Sequence, residues 1–552
     1  MKTRLLPGRT FAVTCAALAL LHSANATTFD STFVGPNDGL WSDAANWSPS
    51  MVPMNGGGDV YNVTVAQDNV IVRLDIDPTI NNLTLGAANV NARVFGIDHN
   101  LIITGTTSVG AGNRLDVVSS SASAVKFNLN NLADFSGTTL NSGGYFVTAA
   151  AGTTSQIQFN GANIVTNSAR IGLIGAGASI IDQNGNNALA NLTRNTDTGF
   201  IRFGSGYNFT TSNNFENQGY MVVRPGSTAT FNGSFTATET GAPDSGLFEI
   251  FGTSSGPSFT QGNGAVAVNG SFTNVNAAGD TLTGGQYTMV SNGTATATLR
   301  FNNANIINNA ASIVLTGPNS QILDQNGLDG LRNVASNSGY LQIARQTRST
   351  SGAFANSGVL VFLGGANVTI GGSLSNDGLL AVLPFDDYLH INGVPGFDPA
   401  PLGALPTLVT VNGDLSLTSN SDFLFEIFDP TITASMRVNG LASFGGILEL
   451  LLFDPSLLTS TDSLTLILTN GQISGAFANV LSGGRLDATQ DTETGGSGDV
   501  VGSFRVDYNG NSLTITDFQP AGAVPEPGTW ALVLVGGFGL ALHRRRALVR
   551  RT

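Results

Sequence analysis

Asn337-Ser-Gly339-Tyr-Leu341, Asn356-Ser-Gly358-Val-Leu360 and Asn376-Asp-Gly378-Leu-Leu380 repeat one pattern, with their glycines 19 and 20 residues apart. Each Asn-x-Gly reads as a turn that tolerates positive φ. Each is followed by a short alternating apolar strand, then by a second strand such as Asn367-Val368-Thr-Ile370 and another glycine turn. Two or three short strands in a period of about 20 residues are the mark of a β-solenoid. A single coil cannot bury its inner face, whereas stacked coils bury a continuous apolar column. The expected fold is therefore all-β: a right-handed parallel β-helix (solenoid) with capping segments. A β-sandwich would show hairpin spacing without a registered ladder, and propeller blades need about 40–50 residues each.

A longer repeat encloses this short one. Ser155-Gln-Ile157-Gln-Phe159-Asn-Gly-Ala-Asn-Ile164 is matched by Thr298-Leu299-Arg-Phe301-Asn-Asn-Ala-Asn-Ile306, placing Phe159 and Phe301 142 residues apart. Ile181-Asp182-Gln-Asn-Gly185 and Leu323-Asp324-Gln-Asn-Gly327 keep that offset, as do Leu140 with Leu282 and Tyr145 with Tyr287. We read a solenoid over 70–383 containing a duplication at about 134–240 and 276–382. Pro384, Pro395, Pro399, Pro401 and Pro406 mark a loop over 384–408. A C-terminal β module over 409–520 opens with Val409-Thr-Val411-Asn-Gly413.

Composition agrees with an extracellular all-β chain. Glycine numbers 69, 41% of residues are hydrophobic and only 11% are charged. Of the 23 basic residues, three lie in 1–26 and five follow Val524, which leaves 15 against 36 acids in the body, a net of −21. Such a body repels a phosphate backbone, so nucleic acid is excluded as the main partner.

The two termini read as addresses. Lys2, Arg4 and Arg9 precede an uncharged run from Phe11 to Leu21, and Ala24-Asn25-Ala26 has the small-x-small form cut by signal peptidase. Residues 1–26 are thus a secretory signal. It contains Cys15, the one cysteine, so the mature body has no thiol for a disulfide, metal site or nucleophile. At the other end, Val524-Pro525-Glu526-Pro527-Gly-Thr-Trp530 leads into an apolar run to Leu542 and then His543-Arg-Arg-Arg546 and Arg550-Arg551. A single apolar helix over 529–542 would reach roughly 21 Å, a marginal membrane span unless arginines snorkel. The arginines would stay cytoplasmic.

A Pro-Glu-Pro motif, a weak apolar helix and a basic cluster, in that order, closely resemble the PEP-CTERM sorting signal, which we place at 521–552. The resemblance implies export, transient retention at the inner membrane, and handling by an exosortase-type transpeptidase near Pro525, Glu526 and Pro527. Delivery to the cell surface or extracellular matrix would follow. An ordinary C-terminal membrane anchor is the alternative. Gly39-Leu-Trp41-Ser-Asp-Ala-Ala-Asn-Trp47-Ser-Pro49 resembles the opening segment of secreted β-helix and autotransporter-like proteins. Over 27–69 it implies an N-terminal cap. Trp41 and Trp47 would either close the first coil or form a sugar-stacking platform. The ladder after 409 resembles the closing module of the same autotransporter-like group.

No cofactor is expected. The body holds two histidines, His99 and His390, far apart in sequence and without a Gly-x-Ser-x-Gly elbow. Asp182 and Asp324, each in Asp-Gln-Asn-Gly, are weak candidates for calcium ligation, with an Asx turn as the alternative. Asp75-x-Asp77 and Asp386-Asp387 read as loop acids. The leading expectation is a non-enzymatic surface or matrix scaffold, biofilm-associated through contact with exopolysaccharide. The alternatives are a polysaccharide lyase or glycoside hydrolase on the same coil, and a protein-binding adhesin. A lyase would gather Arg202, Arg224, Arg300, Arg345 or Arg348 against carboxylates beside a groove.

Overall fold

A computed structural model describes residues 27–86, 91–121, 124–241, 246–252, 264–291, 295–384, 405–430, 434–491 and 497–521. The expected signal with Ala24 and Ala26, the sorting motif at Pro525, Glu526 and Pro527 and the apolar C-terminal helix lie outside these residues. So do His390, Asp386-Asp387 and most of the proline-rich loop. Among the described residues no helix is long and apolar enough to cross a membrane.

Successive coils pair in parallel along three faces. The first face runs from Gly39–Leu40 and Ile71–Leu74, through Gly144–Ala149, Phe200–Gly204 and Tyr340–Ala344, to Ile447–Leu452 and Arg485–Asp491. The second consists of three successive ladders: Thr28–Phe33 to Ala178–Ile181, Asn208–Thr211 to Ser320–Leu323, and Thr347–Ser349 to Ser463–Thr469. The third is built from strands of two or three residues, such as Ser336–Asn337, Phe354–Asn356 and Leu374–Asn376. This is the parallel solenoid that the 20-residue period predicts.

The inner column has the expected register. Leu341, Leu360 and Leu380 pair in sequence, and Phe423 and Leu448 continue the row. All five are at most 1% exposed. Each fully buried leucine contributes about 1.5–3 kcal/mol relative to an exposed one. Lower in the stack the filling is aromatic: Phe235 packs 5.7 Å from Phe272, which lies 4.7 Å from Phe301.

The Asn-x-Gly motif is not the positive-φ turn that its composition suggests. Asn337, Asn356 and Asn376 are buried on the third face, and each passes a hydrogen bond to the next coil. The row runs Asn309 Nδ2 to Asn337 Oδ1 (2.8 Å), Asn337 to Asn356 (2.7 Å) and Asn356 to Asn376 (2.6 Å). Each Nδ2 also donates to the backbone carbonyl two residues on, for example Asn356 to Gly358 O at 3.2 Å. The first copy carries the same ladder through Asn167, Asn195 and Asn217. The glycine is required by close approach: a Cβ on Gly358 would lie 2.1 Å from Gly339 O, and one on Gly378 2.1 Å from Gly358 O. Buried amides paired along the stack satisfy both donor and acceptor, which is what permits them inside.

The duplication leaves a topological trace. Asp182 and Asp324 sit where the second-face ladder breaks. There the chain doubles back through the antiparallel bridges Ile181 with Asn187 and Leu323 with Asp329. Strand Ala178–Ile181 ends one ladder and Ser320–Leu323 ends the next.

Pairing ignores two of the expected boundaries. Among the described residues parallel pairing already begins at Thr28, paired with Val60, ahead of residue 70. It also continues across the proline-rich loop, since Leu379–Leu383 pairs with Asp422–Ile427 and Asn367–Ile370 with Thr407–Val411. The region after 409 is more of the same column. It is closed by antiparallel strands Arg485–Asp491, Ser497–Tyr508 and Ser512–Pro520, the last of which returns to Ser463–Thr469. At the other end Trp47–Ser48 pairs antiparallel with Thr28–Phe33. The C-terminal end of the stack and the second face of its N-terminal end thereby avoid an open parallel edge.

Candidate functional site

Trp41 and Trp47 are 0% and 2% exposed. Their rings meet edge to face at 4.8 Å, and Phe33 adds a second edge contact to Trp47 at 5.2 Å. Trp41 Nε1 donates to Pro53 O (3.0 Å) and Trp47 Nε1 to Trp41 O (2.8 Å). Asp43 caps the short 3-10 turn Ala44–Asn46 that folds the second ring back onto the first. The indole faces are inside the first coil, where a sugar reaches them only if that coil opens.

Asp182 Oδ1 accepts from the backbone N–H groups of Asn184 and Asn186, both at 2.8 Å, and Asp324 Oδ1 from Asn326 and Leu328, also both at 2.8 Å. Gly185 and Gly327 take positive φ (84° and 81°) to complete the turns. The Asn186 side chain, with these N–H groups, holds the Asp182 carboxyl below its ordinary pKa. These oxygens are turned toward their own backbone. Among the described residues no group of three His, Cys, Asp or Glu side chains is placed to hold a metal ion.

Asp75 accepts from the backbone N–H of Ser42 (3.0 Å). Asp77 accepts from Asn100 N (2.9 Å), and His99 Nδ1 lies 3.0 Å from the same oxygen. Burial raises the Asp77 pKa, but the Asn100 and His99 contacts outweigh it and the net shift is downward. The acids of Asp75-x-Asp77 therefore fasten neighbouring coils to one another.

Of the arginines named for a lyase only Arg202 and Arg224 lie together, with Glu249 near Arg224, and the set as a whole does not converge. Arg348 bonds both oxygens of Asp329 (3.0 and 2.8 Å) at the fold-back after Asp324. Arg300 lies on the second face, and Arg202 and Arg224 on the first. A cavity of about 10 Å³ near Arg348 is lined mainly by core side chains including Leu341, Phe354 and Leu360, and is too small for a sugar.

Motif reasoning missed a cationic and aromatic strip on the outward side of the first face. One row pairs Arg73, Phe95, Asp116, Phe146, Gly172 and Arg202 across successive coils. The adjacent row pairs Arg93, Arg114, Gly144, Arg170 and Phe200. Arg114 lies 3.6 Å over Phe146, and Arg170 5.2 Å over Phe200. Higher on this face the outward positions turn apolar, with Ala344, Val361, Leu363 and Ala381 clustering. The exterior of this face is thus cationic and aromatic in one part and apolar in another. The available signal was arginine and phenylalanine at alternate positions of unrelated strands.

Residues 523–546 match the PEP-CTERM protein-sorting motif. No curated protein and no solved structure matches the chain. The match supports an exported protein handled by an exosortase-type sorting system and directed to the cell surface.

Proposed function

We propose that this protein is a non-enzymatic scaffold of the cell surface or extracellular matrix. Signal peptidase would release the body after Ala26. The apolar tail would hold it at the inner membrane, and an exosortase-type enzyme would process the tail at Pro525-Glu526-Pro527. The body would then stand among exopolysaccharide as a stiff spacer. The observation that carries this reading is the sorting motif at 523–546. The long parallel column supports it, since a stack of coils supplies length and many repeated surface positions.

Replacing Pro525, Glu526 and Pro527 together by alanine tests the reading. The native chain should be recovered from the surface or medium, with mass spectrometry showing it without its tail. The triple variant should remain uncut in the inner-membrane fraction. Identical location and identical C-termini for both chains would refute it.

A further inference from the structure

Six of the body's 15 basic residues, Arg73, Arg93, Arg114, Arg170, Arg202 and Arg224, lie on the first face within coils that follow one another. In a body of net −21 this is a marked local reversal. Its charge is only partly cancelled from within, and Glu249 faces Arg224. Arg73 pairs with Asp38, while Arg93 and Arg114 share the single carboxylate of Asp116 (2.9 and 2.5 Å). Arg170 and Arg202 have no carboxylate partner among the described residues, and the buried Nε of Arg202 has no acceptor. Burial, with Arg224 and Arg114 nearby, pushes the Arg202 pKa down to about 10, so its cation is held in an unfavourable place. Two glycines, Gly144 and Gly172, occupy outward positions beside Arg170, where the Phe146 ring lies over Gly172 and the Arg114 side chain over Gly144.

We propose that this strip binds an extended polysaccharide whose sugars carry carboxylates. The carboxylates would be seated on Arg170 and Arg202, and the apolar ring faces of the sugars on Phe95 and Phe200. The guanidinium fork matches a carboxylate with two parallel hydrogen bonds, and such charge-assisted bonds are the strong ones. Phe95 and Phe200 are partly exposed, Phe95 beside Arg73 and Arg93, and Phe200 beside Arg170 and Tyr220. Neighbouring strands stand about 4.8 Å apart, so cations, spread over adjacent rows, recur every coil or two along the strip, which suits a linear polymer rather than a lone anion. Duplex nucleic acid fits less well. Its charges come at roughly one per 1.7 Å, and the surrounding acidic body repels that density more than sparse sugar carboxylates. The inference gives a partner to the scaffold proposed above and rests on that reading for its setting, but not for its measurement.

The test is retention of the full chain, purified in non-ionic detergent, on immobilised polygalacturonate. Carboxyl-reduced polymer and duplex DNA are the comparison surfaces. The native chain should be held at low salt and released as salt rises. The variant carrying Arg170→Glu and Arg202→Gln should lose affinity at least about tenfold, and the reduced polymer should not be held. Arg170 is exposed, so Arg170→Glu alone gives the same reading if the double variant fails to fold. Three results would overturn the proposal: no retention of the native chain, equal retention of the reduced polymer, or unchanged affinity in a folded variant. Tighter retention on DNA would reassign the strip to nucleic acid. None of these outcomes bears on where the tail is cut, which the sorting assay reads separately.

Discussion

The side-chain amide of Asn337 donates to that of Asn356 at 2.7 Å, one coil away, with both residues at most 2% exposed. Asn356 passes the same bond to Asn376. Asn356→Ala removes an acceptor from Asn337 and a donor from Asn376. The Asn337 amide keeps its bond to Val359 O (2.9 Å), so the group left unsatisfied is the Asn376 oxygen, at a cost of about 1–3 kcal/mol. Asn356→Asp should cost more, because a carboxylate would then face the Asn376 oxygen. Solenoid coils open locally, so the readout is amide exchange in Tyr340–Ala344, Val359–Leu363 and Leu379–Leu383. Unchanged protection in both variants would show the ladder to be energetically idle.

Gly358→Ala places a methyl group 2.1 Å from Gly339 O, with backbone on both sides of the clash. Overpacking of this kind costs about 1–3 kcal/mol. Gly352→Ala is the matched control, since a Cβ there meets nothing within 4 Å. Denaturant midpoints should separate the two variants. Equal midpoints would mean that the coils can spread apart at little cost.

Removing either indole of the first coil should destabilise the N-terminal end. Trp41→Ala and Trp47→Ala each delete a fully buried ring, a change worth about 3–5 kcal/mol in a core. Exchange protection should fall over Thr28–Phe33 and Val60–Val65 while retention on polygalacturonate is kept. Intact protection together with lost retention would make the rings a sugar platform after all.

Asp98 is set by the Ser120 hydroxyl (2.5 Å) and backbone N–H (2.8 Å) of the next coil, which pull its carboxyl pKa below the ordinary value. A carboxyl with a depressed folded pKa stabilises the fold above its unfolded pKa, near 3.9, and loses that contribution as pH falls through the lower folded value. Asp98→Asn tolerates the positive φ at this position (57°) and removes the titration. The native chain should therefore melt above the variant at neutral pH, and the gap should close as pH drops below about 4. Acidification also relieves the repulsion of a net −21 body, so it is the gap between the two chains, not either melting curve alone, that isolates Asp98. A gap that stays constant from pH 7 to 3 would contradict the assignment.

Much of the fold was legible because its causes are local. Alternation along Val60–Val65 or Asn367–Ile370 specifies which side chains enter the column, and the 19- and 20-residue spacing specifies that coils stack. The reading failed where one motif has two physical uses. Asn-x-Gly suits a positive-φ turn as well as a buried amide beside a close backbone contact, and only the coil above and below decides between them. Pairing runs on across residues 70 and 409 for a related reason. The Trp motif and the proline cluster mark changes of composition, but pairing depends on what the flanking strands can reach.

By itself the sequence determined an all-β stacked coil, its inner rows, and the match of its C-terminal stretch to an export-sorting motif, all properties of neighbouring residues or of a fixed period. Tertiary structure alone decided the asparagine ladder, the burial of Trp41 and Trp47 and the arginine strip. Arg93, Arg114, Gly144, Arg170 and Phe200 are lateral neighbours although 21, 30, 26 and 30 residues separate them. Coils of such unequal length share no period that would align their outward side chains, so only the hydrogen-bonded register of the sheet brings these charges into line.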